Sequence, residues 1–362
     1  MTTVLSHGGP DVNLTDSPDQ ELAVATVNGV VFARRAGADW PITHRALQGK
    51  HVSTLAREPG GTFFAGTHKA GLWASTDGGR TWEERGQGLA SGDIYAFNWC
   101  VKDGKARLFA GTEPAHLYVS DDLGRTWTEL PGLIAAATTS RWTFPAPPHI
   151  AHVKNIAFDP RSADTVYVAV EQGGLYRSLD GGRTFRELSG FDDDVHRTVV
   201  PSHEPDHLYI ATGIGLYHSP DGGVAWEQIT TRHDRIGYPD ALLAHPARRG
   251  HFFTGGARTG PGSWFDTRDA DARIARSRDG GRTWEMFERG LPEHIIGNVE
   301  AMAMNIWRTG FALYAGTTDG DVYMSDDEGE TWRTIVTKIA PVSKSSHYVP
   351  LSSGAPELAA AR

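Results

Sequence analysis

The feature that most constrains this chain is the phrase Ser75-Thr-Asp77-Gly-Gly79-Arg-Thr81-Trp82, because the pattern S-x-D-x-G-x-T-W keeps returning. Related phrases begin at Ser120, Ser178, Ser219, Ser277 and Ser325, with Phe185 replacing the Trp in one and Ala225 replacing the Thr in another. Successive serines lie 45, 58, 41, 58 and 48 residues apart. A four-stranded propeller blade fits that period, and the two longer steps point to insertions.

Each unit reads as an apolar strand A, a second strand B ending in a Gly-rich or polar loop, a third strand C entering the Asp phrase, and a fourth strand D starting at its aromatic residue. His51–Leu55, Thr62–Gly66, Gly71–Ser75 and Thr81–Arg85 show the mould. Glu21–Trp40 fits it without the Asp phrase. The chain therefore predicts one all-β domain over 1–362, a seven-bladed propeller of four-stranded antiparallel blades. The expected blades are 21–48 plus a C-terminal strand, 49–90, 91–135, 150–190, 192–231, 236–291 and 297–338. Strand A of the first blade is expected either from the extreme N-terminus (Val4–Ser6 or Val12–Leu14) or from Val342–Tyr348, the latter favoured because pairing the two chain ends closes the ring and removes exposed edges, with 349–362 as a loose tail.

Two segments depart from the mould, Leu133–His149 between blades three and four and Gly260–Arg273 inside blade six. Strand direction alternates within a blade, so D–A and B–C loops emerge on one face and the Asp phrases on the other. A pocket is expected under the insertions. Six similar Asp phrases cannot line one active site. Each reads instead as a local staple, with Asp bonding the N–H groups of its own turn and the aromatic ring packing between strands.

On these phrases the sequence resembles the Asp-box (bacterial neuraminidase repeat) propellers, a superfamily that includes sialidases, xyloglucanase-type glycoside hydrolases, sortilin-type receptors and photosystem II assembly factors. Single-propeller bacterial proteins of sialidase-like or glycosyl-hydrolase-like type are the nearest in pattern, and Leu22–Arg34 resembles their opening strand. The resemblance spans roughly residues 20 to 350 and implies fold more than activity. The chain departs from the sialidases in that Phe32-Ala-Arg-Arg35 does not reproduce their Arg-Ile-Pro segment. It departs from the xyloglucanase-type enzymes in having one propeller where they use a cleft between two.

Aligning the A strands makes their first residues comparable: His51-Val-Ser53, Asp93-Ile-Tyr95, His152-Val-Lys154, Asp194-Val-His196, Tyr238-Pro-Asp240 and Asn298-Val-Glu300. At a shared channel mouth, His51, His152 and His196 with Asp93 and Asp194 would suit a divalent transition metal (Zn, Fe, Mn or Cu). Lys154, Glu300, Tyr95 and Asp240 are the candidate acids and bases. His68, Glu113 and Glu171 at the B–C loops, and Trp142 and Trp264 in the insertions, are the candidate substrate-binding residues. The same residues read equally as a water-bridged structural ring, and carboxylates among them as a glycosidase pair.

Three functions follow: a metal-dependent hydrolase or lyase on a small molecule, a carbohydrate-binding or glycoside-hydrolysing protein, and a protein-interaction scaffold. The expected ligand is a small molecule or carbohydrate. A net charge of −9 with a pI near 6.0 argues against nucleic acid and against an acidic membrane surface. The only cysteine, Cys100, excludes an intrachain disulfide. With no signal-like opening segment, a soluble cytoplasmic protein is expected.

Overall fold

The computed structural model describes residues 1–136 and 138–343. It is a seven-bladed β-propeller, each blade a four-stranded sheet and the seventh carrying one additional strand. The innermost strands of blades two to seven are His51–Arg57, Ile94–Lys102, Val153–Asp159, Val195–Val199, Tyr238–Ala244 and Val299–Trp307. Apolar clusters fill the interfaces between neighbouring blades. Phe64 of blade two stacks on Phe97 of blade three at 5.2 Å, and Tyr209 of blade five meets Phe252 of blade six at 4.3 Å. Such contacts let sheet pack on sheet around the ring.

The Asp phrases have the expected staple geometry. Thr81 Oγ1 and Thr81 N donate to Asp77 at 2.6 and 2.9 Å, Ser75 Oγ donates to Asp77 at 2.8 Å, and Gly79 N donates back to Ser75 Oγ at 2.9 Å. The same bonds recur around Asp180, where the Thr184 N–H and hydroxyl hold the carboxyl down to about 2.

Strand A of blade one draws on both expected sources. Among the described residues, the C-terminal segment supplies its head: Val27 N donates to Pro341 O and Val342 N donates to Thr317 O. Residues 344–348 of the expected strand, and the expected tail 349–362, lie outside the described residues. Below the head, the inner position belongs to β1 (Thr2–Leu5), which pairs in parallel with Glu21–Thr26. The reason is a hairpin-like path at the start of the chain. After β1 the chain turns through Ser6–Pro10 and comes back as β2 (Val12–Leu14), paired in parallel with strand A of blade seven.

The tip of this path fills the channel. Gly8 N donates to Ser53 O at 3.2 Å, Phe97 N to Gly8 O at 3.0 Å, and Arg197 to the carbonyls of His7 and Gly9 at 2.8 and 3.2 Å. His7 Nδ1–H donates to Glu300 O at 2.9 Å. The tip therefore touches blades two, three, five and seven. Gly8 is required by close approach: a Cβ there would lie 2.0 Å from Tyr95 O.

Gly8→Ala is expected to destabilise the fold by about 1–3 kcal/mol through overpacking, seen as a lower Tm in thermal unfolding. Gly262→Ala, where a Cβ meets nothing within 4 Å, should leave Tm within about a degree. Equal Tm values for both variants would refute the close-packed tip.

Candidate functional site at the channel mouth

Six inner strands share one irregularity. In blades two to seven the pairing between strands A and B slips by a residue at the head, and the residue skipped is Ser53, Tyr95, Lys154, His196, Asp240 or Glu300. A bulge re-aims the side chain it carries. Here it brings the third residue of each head against its neighbours: Tyr95 stacks on His152 at 3.9 Å, and His196 lies 4.7 Å from the Tyr238 ring.

Two buried imidazoles organise the mouth, each flanked by two carboxylates. His152 has Glu171 Oε2 at 2.7 Å from Nε2 and Glu113 Oε2 at 3.3 Å from Nδ1, and Lys154 Nζ donates to the same Glu171 oxygen at 2.5 Å. Lys154 is 1% exposed, and the Glu171 contact gives its buried ammonium an opposite charge. Burial, reinforced by the charges of Glu113, Asp93 and Glu171, pushes the Tyr95 phenol far above its ordinary range. Tyr95 therefore acts as a hydrogen-bond donor rather than as a base.

His196 lies between Asp194 and Asp240, with Asp194 Oδ1 3.5 Å from Nε2 and Asp240 Oδ1 3.6 Å from Nδ1. Its Nδ1–H donates to Pro239 O at 2.8 Å. That bond fixes the tautomer of the neutral ring and leaves a lone pair on Nε2. Nε2 and Asp194 Oδ1 are both buried and have no hydrogen-bond partner. Two acceptors facing each other call for a cation between or beside them, either a proton on the ring or a metal. Donor atoms of Glu171, Asp194 and His196 all lie within 4.8 Å of one another. Asn298 Nδ2 donates to Asp240 Oδ2 at 2.6 Å and holds that carboxylate in place.

The remaining predicted residues lie around this centre in other roles. His51 Nε2–H donates to Ser343 O at 3.0 Å, and its ring lies 5.7 Å from that of His68. Asp93 pairs with His68 Nδ1 at 2.7 Å and accepts from Lys69 N at 2.5 Å. Glu300 is buried, its carbonyl bonded to His7. Trp264, on α1 (Pro261–Thr267), is 2% exposed, donates from Nε1 to Thr259 O at 2.5 Å and packs edge-on against Tyr238. Trp142 Nε1–H donates to Tyr176 Oη at 2.8 Å. Both rings thus anchor their insertions to the ring of blades. Beside Asp194 opens a recess of ≈ 560 Å³, lined by Arg141, Gln172, Phe191, Asp192 and Asp193 among others.

The residues that sequence reasoning missed are those of the hairpin tip, His7 above all, together with Arg197, which clamps it. The signal was faint: Gly8-Gly9 is a pair of adjacent glycines outside any repeat, suited to a segment threading between carbonyls.

Burial draws the Asp93 carboxyl up, but the His68 hydrogen bond and charge outweigh it and leave Asp93 below the ordinary carboxylate value. A depressed carboxyl adds stability at pH above its unfolded value and loses that contribution as pH falls through its folded value. In His68→Asn the Asp93 titration, followed by carboxyl ¹³C NMR, should move upward toward the ordinary carboxylate value, and the acid-side stability loss that Asp93 contributes should become smaller. An unchanged titration would contradict the pairing.

No family model matches the chain. It is 26% identical over 232 residues to a xyloglucanase of Paenibacillus sp, covering 54% of this chain and 22% of that protein. It is 24% identical over 102 residues to an oligoxyloglucan-reducing end-specific xyloglucanase of Emericella nidulans, covering 26% of this chain and 12% of that protein. The chain thus spans less than a quarter of the length of these relatives. Among solved structures, the Niastella koreensis GH74 enzyme superposes with a TM-score of 0.63 at 18% identity, over 93% of this chain and 56% of that one. At that identity the likeness is one of fold alone; the chain is a seven-bladed β-propeller, similar over part of its length to xyloglucanases.

Proposed function

We propose that the channel mouth is the active site of a metal-dependent enzyme of hydrolase or lyase type that acts on a small, oxygen-rich molecule. The observation that carries the reading is the cation-requiring pair His196 Nε2 and Asp194 Oδ1, 3.5 Å apart with Glu171 alongside. The donor set of one imidazole and two carboxylates suits Zn, Mn or Fe, with further positions left for substrate. When bound, such a cation supplies Lewis acidity at a substrate carbonyl or hydroxyl.

Around it the chain's own groups have defined tasks. Pro239 O and Asp240 orient His196. Lys154, hydrogen-bonded to Glu171, is the group placed to hold or deliver a proton. The buried Tyr95 keeps its proton and orients oxygen by donation. The tip at Gly8 closes the channel below, so substrate enters from the insertion face, past Phe191 and Asp192.

Protein purified without chelator is expected to contain about one divalent cation per chain by elemental analysis. The double variant Asp194→Asn/His196→Gln, folded by circular dichroism, should contain about a tenth of that or less. Metal-free wild-type protein that also fails to take up Mn or Zn in calorimetric titration would overturn the reading.

The xyloglucanase relatives favour a second reading, a carbohydrate-directed protein using the same mouth. The geometry supports it less well, because an imidazole fills the space inside each flanking carboxylate pair where a glycosidic oxygen would have to sit. Saturable binding of xyloglucan oligosaccharides that persists in the double variant would favour this reading over the first.

A further inference from the structure

The copy of the Asp phrase in blade five is preceded by a residue that its staple does not require. The position before the serine holds Ala74, Val119, Arg177, Arg276 or Met324 in the other five copies, and His218 in this one. On the strand Gly215–Ser219, His218 pairs in register with Tyr209 on one side and Glu227 on the other. Cross-strand partners share one face of a sheet. On that face a cavity of ≈ 390 Å³ opens between blades five and six, bounded on blade six by the Asp phrase at Asp279 and so on the side of the ring away from the mouth.

His207, His218, Glu204 and Glu227 all line this cavity. Nδ1 of His207 and Nε2 of His218 stand 3.0 Å apart, with the two rings tilted by 41°. Two neutral rings in that position share one proton, and the same spacing fits an ion: with metal–nitrogen bonds of about 2.0–2.1 Å, two ligands at a right angle lie about 2.9 Å apart. The right angle belongs to tetragonal Ni(II) and Cu(II) sites. The terminal torsion of a histidine side chain is soft, so both lone pairs can turn onto one ion. The His207 side chain is 27% exposed, which leaves the pair open to ions from solution.

The charges nearby are arranged to suit. Glu204 Oε1 lies 4.0 Å from Nε2 of His207, the nitrogen left to carry that ring's proton, as a carboxylate commonly backs a ligating imidazole. Burial and the charges of His207 and Arg282 hold the His218 imidazole below its ordinary value against the pull of Glu227 and Glu204, so the ring is neutral near pH 7. Of the arginines around the cavity, Arg249 is paired with Glu204 at 2.6 Å and Arg278 with Glu285 and Glu330 at 3.2 and 3.3 Å.

From this geometry we infer that His207 and His218 form a second metal site, one that takes a tetragonal Ni(II)- or Cu(II)-type ion through His207 Nδ1 and His218 Nε2, with water in the remaining positions. Two protein ligands hold an ion less firmly than three, so this site exchanges its ion and fills on titration, whereas the mouth retains its cation through purification.

NiCl₂ is the probe, titrated by calorimetry at neutral pH into tag-free protein carrying Asp194→Asn/His196→Gln, which removes the mouth site. That variant should take up one Ni per chain saturably. Adding His207→Gln/His218→Gln, with folding checked by circular dichroism, should weaken uptake at least about tenfold. In the wild type, Ni should broaden the ring resonances of His207 and His218 in NMR spectra. Absence of saturable Ni uptake by the mouth variant, unchanged uptake after loss of both imidazoles, or unbroadened His207 and His218 rings would overturn the assignment and leave the two side chains a hydrogen-bonded pair only.

Discussion

The inner strand of each blade faces the channel, and an inner edge with no partner for its N–H and C=O groups would be left unsatisfied. Much of the molecule follows from how these edges are satisfied. At the head, a one-residue bulge sends the third residue toward the next blade: Ser53 Oγ to Ile94 O, Tyr95 onto His152, His196 Nδ1–H to Pro239 O, and Asp240 to Asn298. Lower down, the hairpin supplies the missing partners, with β2 on blade seven, Gly8 on blades two and three, and β1 as the inner strand of blade one.

Both ends of the described chain meet at the seam between blades seven and one. Pro341 O accepts from Val27 N there, the same bond that Asp93 O makes with Glu113 N and His152 O with Glu171 N in other blades. Ser343 therefore occupies the position that Ser53, Tyr95 and Lys154 hold elsewhere. Ring closure and the mouth share a contact, because the segment that completes the head of blade one also bonds His51.

The Asp phrase made the blades legible from sequence, since it fixes a register that recurs at each C–D turn. It also placed His152, Lys154, Asp194 and His196 at one height, and they do converge. Pairing within that set was not legible. His51 looks equivalent to His152, yet one finds a backbone carbonyl and the other two carboxylates. Glu171 read as a mouth residue because it follows strand B, whereas the fold makes it the carboxylate shared by His152 and Lys154. Trp264 read as a candidate substrate-binding residue, but its short helix is held down by burying that ring. The hairpin tip escaped because most of its partners are main-chain atoms of distant blades, Ser53 O, the Phe97 N–H and Glu300 O, which leave no side-chain pattern behind.

The central claim is that the lone pair of His196 and the bare oxygen of Asp194 exist to hold a metal cation rather than a ring proton. Anomalous diffraction from crystals grown with Mn or Zn and without chelator tests it most directly. A bound metal gives a single strong anomalous peak within about 2.0–2.3 Å of His196 Nε2 and Asp194 Oδ1, with Glu171 beside it. A map with no peak at the channel mouth, and a protonated His196 donating to Asp194 in its place, would contradict it.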